Sequence, residues 1–311
     1  MKELEEYKPI LKQIYTIEER KNILPLDILG RTLAYNSFLP RLSDVEYLYQ
    51  NFRVYDKSPS DKNSLQYEKQ SLKTSQINNN HTPVSTHKGV SIQLDNLTTI
   101  LQQATIGDNS HLEKEILCIF IDDKGTNQDN LIDSISALRR LMPVFIGYKG
   151  VIIDTYQILE LAISGADMFV LDCNALRLFI DILSYAQTEK LPLDSINTES
   201  FFEHLQQTKH KKDSKKMLST LFNNLIAFGN NLGLVPIIQL QDKNDVKMLL
   251  SLKNPIDCVL CPPNLISLLP NSYLIFSLLQ DSVSKDRSPT KHDVGLQNYQ
   301  GIDVLLEQVY K

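Results

Sequence analysis

The chain has 311 residues, a formal net charge of −5 and 42% hydrophobic residues. This length allows one large core, and a single barrel of roughly 250 residues with insertions fits it. The acidic balance provides no global field that would attract nucleic acid, and no apolar run approaches the roughly 18 residues that a membrane-spanning helix needs. We therefore expect neither nucleic-acid nor membrane partners.

The predicted elements begin with a charged amphipathic helix over residues 4–23, and residues 1–45 form an N-terminal helical extension. Apolar runs rich in β-branched residues then alternate with amphipathic segments. The candidate strands are 52–55, 116–121, 144–148, 168–171, 235–240, 258–260, 273–276 and 302–306, and the clearest helices are 130–141, 156–164 and 217–231. Eight strands alternating with helices predict a parallel sheet closed as a (β/α)8 TIM barrel, in one domain covering residues 1–311.

Two polar insertions interrupt this pattern. Residues 62–89 are dominated by Ser, Gln, Asn, Thr and Lys, so they bury too little apolar surface to offset their ordering entropy, and we expect a mobile loop. Residues 184–216 end in a lysine-rich run from Lys209 to Lys216. That run could contact an anionic partner, but a solvated loop is the better interpretation in an acidic protein.

The N-terminus has acidic residues and no apolar block after them, so it is not typical of a secretory or organelle leader. The cysteines lie in or beside apolar runs, where reduced thiols behave as small hydrophobes. They are Cys118, Cys173, Cys258 and Cys261. These features predict a cytoplasmic protein, and Pro262-Pro263 after the CxxC spacing argues against a metal or redox site there.

The segment Lys149-Gly150-Val151-Ile152-Ile153-Asp154-Thr155-Tyr156-Gln157, followed by Gly165-Ala166-Asp167, resembles the indole-3-glycerol phosphate synthase family, a TIM barrel of tryptophan biosynthesis. In that family a catalytic lysine ends the third strand before a closely similar turn. The resemblance implies that Lys149 is the catalytic residue and that Ser58 and Ser60, in an intact Ser-Pro-Ser motif, bind substrate.

Other positions depart from the family pattern. The first-strand carboxylate and lysine are replaced by Arg53 and Tyr55, and shifting the alignment by two brings Lys57 to the lysine position without recovering an acid. Gln239 replaces the fifth-strand glutamate; its amide can bind substrate but cannot accept a proton. Only Ser277 remains of the seventh-strand motif, as a further substrate-binding candidate.

The sixth strand ends in Cys261-Pro262-Pro263 in place of the family's asparagine pair, and the final strand lacks the phosphate loop. Few residues remain after that strand, so we expect the barrel to be truncated at the C-terminus. Carboxylate, lysine and phosphate anchor act as a unit in catalysis, so their joint replacement argues for loss of activity.

Two functions follow from the resemblance. The favoured one is a diverged family relative that has lost the ring closure and kept its barrel as a scaffold, binding either a phospho-sugar or another protein, with no cofactor and no metal. The alternative is an active synthase, a carboxy-lyase that closes the indole ring of the anilino-deoxyribulose phosphate with loss of CO2 and water. An acid opposite the Lys149 ammonium, together with an anion held across the barrel mouth, would argue for the alternative.

Overall fold

The structure is a computed structural model that describes residues 5–35, 38, 52, 87–94, 116–123, 131–207, 214–253, 256–278 and 302–309. The strands are β1 (His87–Gln93), β2 (Ile116–Asp122), β3 (Phe145–Lys149), β4 (Met168–Asp172), β5 (Val235–Gln239), β6 (Cys258–Leu260), β7 (Leu274–Leu278) and β8 (Val304–Val309). The helices are α1 (Tyr7–Ile23), α2 (Leu26–Leu33), α3 (Leu131–Leu141), α4 (Thr155–Ser164), α5 (Cys173–Glu189), α6 (Thr198–Gln207), α7 (Ser214–Asn231) and α8 (Lys243–Leu249), with 3₁₀ turns at Leu193–Ser195 and Pro263–Leu268.

The eight strands form a closed parallel barrel in sequence order, and β1 pairs with both β2 and β8. The fold is therefore a (β/α)8 TIM barrel, as the sequence pattern predicted. The prediction for the first strand was wrong: the barrel uses His87–Gln93 and not residues 52–55. Phe52 is helical and fully buried inside the barrel, with its ring 5.0 Å from that of Phe145 at the start of β3.

The barrel interior is a packed core. Alternation along the strands and the register place Phe120, Val170, Leu260 and Leu306 of the even-numbered strands in one inward layer. Below them lie Gly89, Gly147, Ile237 and Phe276 of the odd-numbered strands. Glycine is required at position 147, because a Cβ atom there would overlap the ring of Phe120. The interior is thus filled with side chains up to the polar layer at its carboxyl end.

The predicted helices at 130–141, 156–164 and 217–231 correspond to α3, α4 and α7. Helix α4 has a capping box in which the Asp154 carboxylate accepts the Tyr156 N–H and the Gln157 side chain accepts the Asp154 N–H. It ends at Gly165, whose φ of 92° is the left-handed conformation that glycine adopts readily. The motif that carries the family resemblance therefore specifies a capped helix.

The N-terminal helix α1 packs against α4 and α5. Arg20 forms an ion pair with Glu160 at 2.9 Å, and Lys21 forms one with Asp154 at 2.7 Å. Tyr7 donates a hydrogen bond to Asp181 at 3.0 Å. The predicted helix over 4–23 is thus confirmed as a helix docked on the outer ring.

The two predicted insertions differ in what the structure describes. Most of 62–89 lies outside the described residues, and its last three positions belong to β1. The segment 184–216 contains the end of α5, a 3₁₀ turn, α6 and the start of α7, so much of it is helical and not loop. Residues 208–213, which include most of the lysine-rich run, lie outside the described residues. Within the described helices, none is both long and apolar enough to cross a membrane.

Candidate functional site

The carboxyl ends of the strands carry a polar layer above the apolar core. The register places Ser91, Lys149, Gln239 and Leu278 of the odd-numbered strands in the uppermost inward layer. Asp122 of β2 and Asp172 of β4 lie one residue further out, on either side of Lys149. Active sites of TIM barrels lie at this end, so this layer is the candidate site. We call the layer formed by Ser91, Lys149, Gln239 and Leu278 the mouth layer.

Lys149 ends β3 and is paired with a carboxylate. Its Nζ lies 2.8 Å from Asp122 Oδ2, and the two side chains are only 16% and 13% exposed. Asp122 is the register partner of Lys149 on β2, so the parallel pairing itself brings the two side chains together. An acid does stand opposite the lysine, which is one of the two features expected of an active enzyme.

Asp172 is the second carboxylate beside Lys149, and no sequence motif marks it. Burial raises the pKa of Asp172, while hydrogen bonds from the backbone N–H groups of Asn174 and Ala175 and the charge of Lys149 act to lower it. Those hydrogen bonds, at 2.7 and 3.3 Å, make Asp172 the N-cap of α5. The sequence signal that could have indicated Asp172 is its position at the end of a barrel strand, two residues after the inward-facing Val170.

Three mouth side chains make no hydrogen bond within the described part of the chain. They are the hydroxyl of Ser91, which is 3% exposed, and the half-buried amides of Gln93 and Gln239. Buried polar groups in proteins are usually hydrogen-bonded, so an inward-facing hydroxyl without a protein partner at a barrel mouth points to a ligand or solvent contact. The register places Gln239 of β5 in the same layer as Lys149 of β3, with β4 between them.

Hydrogen bonds on the outer side of β2 and β3 stabilise the strand ends that carry the Lys149–Asp122 ion pair. Tyr148 is buried and donates a 2.9 Å hydrogen bond to the carboxylate of Asp123, and the Asp123 N–H donates to the Lys149 carbonyl at 2.7 Å. Burial and the neighbouring Asp123 carboxylate hold the pKa of Tyr148 well above its ordinary value, so this phenol stays protonated and keeps donating. The two strand ends are therefore fixed on both faces.

The remaining predicted site residues are not brought to this layer by the described structure. Ser58 and Ser60 lie outside the described residues. Ser277 is fully buried on β7, and alternation with the inward-facing Phe276 places it on the outer side of the barrel wall, where its hydroxyl has no hydrogen-bond partner among the described residues. Of the predicted set, Lys149 and Gln239 lie together and Ser277 lies apart.

The opposite wall is apolar where the structure describes its side chains. Leu278 of β7 lies in the mouth layer, and Leu260 and Leu306 face inward one layer below it, from β6 and β8. Arg177, another cation near the strand ends, lies in the first turns of α5 and forms an ion pair with the buried Asp245. No group of three or more His, Cys, Asp and Glu side chains within the described ranges could hold a metal ion. The chemistry of the described mouth is therefore concentrated on β1 to β5.

Comparisons with known proteins agree only at the level of fold. No protein-family model matches the chain, and no curated protein matches it. Among solved structures, it is similar to a DHPS from Yersinia pestis with a pterine-sulfa conjugate, at 11% identity and a TM-score of 0.40, over 71% of this chain and 86% of that one. An HpcH/HpaI aldolase/citrate lyase family protein from Burkholderia cenocepacia matches at 11% identity and a TM-score of 0.38, over 72% and 88%. An N-(5'-phosphoribosyl)anthranilate isomerase from Pyrococcus furiosus matches at 11% identity and 0.35, over 72% and 90%. We draw no functional conclusion from these remote similarities.

Proposed function

We propose that this protein is a relative of the indole-3-glycerol phosphate synthases that has lost the ring closure and keeps its barrel as a scaffold with a small-molecule site at the mouth. The observation that carries this proposal is the one-sided distribution of proton-transferring groups. Asp122, Lys149 and Asp172 stand on three neighbouring strands, whereas the mouth-layer residue on the facing side is Leu278 of β7.

Ring closure needs an acid that helps a hydroxyl leave and a carboxylate that manages protons on the other side of the substrate. The resemblance expects acids on the first, fifth and seventh strands. The mouth-layer residues of those strands are Ser91, Gln239 and Leu278, and none of these side chains is an acid or a base at neutral pH. Two carboxylates do flank Lys149, but both lie on its own side of the mouth.

The test is a turnover assay with the purified full chain and the anilino-deoxyribulose phosphate. We expect no indole product, and we expect no rescue of a tryptophan auxotroph that lacks the synthase. Turnover that is lost in Lys149→Met and kept in Lys247→Met, a substitution of an exposed lysine on α8, would contradict the proposal.

A retained synthase activity is the second candidate, and the Lys149–Asp122 pair favours it. The ammonium of Lys149 lies 2.8 Å from the Asp122 carboxylate at the end of β3, and a lysine at that place is positioned to act as a general acid. In this case Asp122→Asn should lower turnover along with Lys149→Met. The same assay therefore decides between the two functions.

A further inference from the structure

We propose that the mouth layer binds the hydroxyl groups of an uncharged polyol or open-chain sugar, and that a phosphate group on that ligand adds no affinity. This inference rests on the proposed function, since it names the ligand class of the same site.

Two polar side chains of the mouth layer have hydrogen-bonding capacity that no described residue uses. Ser91 is 3% exposed and faces inward, because Gly89 two residues earlier points at Leu306 and Cys118 inside the barrel. Its hydroxyl has no hydrogen-bond partner in the described part of the chain, and neither has the amide of Gln239 in the same layer. A hydroxyl and an amide each both donate and accept, and this combination matches alcohol groups.

The charged side chains beside these polar groups do not favour binding of an anion. The Lys149 ammonium is already neutralised by Asp122 at 2.8 Å, and Asp172 stands on its other side. An anion at this position would meet two carboxylates and one lysine that is already paired. Ligand hydroxyls can instead donate to the carboxylates and accept from the ammonium without bringing a net charge into the site.

Phosphate sites of TIM barrels use loops after the seventh and eighth strands, with glycine allowing close backbone approach. Here β7 ends at Leu278, and β8 continues as a strand through Val309, with Glu307 paired to Val90 of β1. The described backbone at the end of β8 is thus committed to sheet pairing.

The probe is ribitol, an open-chain polyol with no aldehyde that could react with lysine, and its charged match is ribitol 5-phosphate. Binding to the full chain is measured by calorimetric or NMR titration. Ser91→Ala and Gln239→Leu should each weaken ribitol binding, by roughly threefold to tenfold, the cost of a lost neutral hydrogen bond. Because neither replaced group has a hydrogen-bond partner among the described residues, neither substitution removes a hydrogen bond that the structure shows, and both variants should fold.

The matched controls are Ser195→Ala and Gln187→Leu, both at exposed positions outside the strands, and they should bind ribitol as the unmodified protein does. The inference would be overturned if the protein did not bind ribitol, or if the two mouth variants bound it as tightly as the unmodified protein does. It would also be overturned if the phosphate ester bound at least tenfold more tightly than ribitol. Indole-forming turnover would instead overturn the proposed function, whatever the ribitol titrations show.

Discussion

Asp167 and Asp303 make matching contacts one half-barrel apart. Each lies directly before an even-numbered strand, and each Oδ2 accepts a 2.9 Å hydrogen bond from the backbone N–H of the second residue of the preceding strand, Ile146 or Ile275. The backbone N–H of Asp167 in turn donates to the carbonyl of Ile146 at 2.8 Å, and that of Asp303 donates to the carbonyl of Ile275 at 2.9 Å. The aspartate of the Gly165-Ala166-Asp167 motif is therefore a structural clamp at the end of the barrel opposite the mouth.

Replacing Asp167 should destabilise the protein strongly. Its carboxylate is fully buried and also forms an ion pair with Arg139 of α3 at 2.7 Å, a side chain that is itself 7% exposed. Removing one partner of a buried pair leaves the other charge uncompensated, so Asp167→Ala should lower the free energy of unfolding by about 3–5 kcal/mol in urea denaturation. Asp303→Ala, at the matching position, is measured for comparison. If Asp167→Ala lowered the free energy of unfolding by less than about 1 kcal/mol, the clamp role would be refuted.

Gly147→Ala should also destabilise the barrel, because the added methyl group overlaps the Phe120 ring in the interior. Overpacking of this kind costs about 1–3 kcal/mol. The double variant Phe120→Leu, Gly147→Ala should recover part of that loss, since the smaller side chain makes room. Additive losses in chemical denaturation would show that the two positions do not compete for space.

The sequence predicted the barrel but misplaced its first strand, and the reason is physical. Strands buried on both faces appear as continuous apolar runs, and seven of the eight runs were placed correctly on that basis. The strand His87–Gln93 contains both polar and apolar residues, so it does not appear as an apolar run. Its inward position 89 is glycine because the barrel interior is crowded there, and its inward position 91 is serine in the polar mouth layer. Phe52 looked like a strand residue because it fills the core, although it does so from a helical position.

The candidate site was predicted in part for a similar reason. Lys149 and Gln239 were found because a motif marks their strands. Asp172 was missed because acids were expected only on the strands where the family carries them, and its role depends on register, which places it across the layer from Asp122 with Lys149 between them. Register is fixed by strand pairing and cannot be derived from a motif alone.

Glu160 should make stability depend on pH. Burial raises its pKa from 4.5 to about 7, although the Arg20 guanidinium opposes the rise. Between about pH 4.5 and 7 the folded protein therefore binds a proton here that the unfolded chain has released. The free energy of unfolding should rise as the pH falls through this window, with a contribution on the order of 2–3 kcal/mol at its acidic end that is lost towards neutral pH. Glu160→Gln should flatten this dependence in denaturation series from pH 5 to 8, and an unchanged slope would show that Glu160 titrates normally.

The Lys149–Asp122 pair should show a measurable coupling energy. Both side chains are mostly buried, so their interaction should exceed that of an exposed ion pair, which is worth about 0.2–1 kcal/mol. A double-mutant cycle with Asp122→Asn and Lys149→Met should give a coupling of about 1–3 kcal/mol in the free energy of unfolding. The exposed pair of Lys8 and Glu5 on the N-terminal segment is a suitable control, with little expected coupling. Equal coupling in the two cycles would mean that the mouth pair is solvated in the free protein.

The four cysteines should be inert in the folded protein and react only on unfolding. All four are buried, and burial raises the pKa of the Cys118, Cys173 and Cys258 thiols, which keeps them in the unreactive protonated form. A thiol reagent such as DTNB should label none of them rapidly in native buffer and all four in denaturant. Rapid native labelling of Cys258 or Cys261 would point to redox or metal chemistry at the CxxC spacing. Slow labelling that follows the unfolding rate would instead show that these thiols belong to the core.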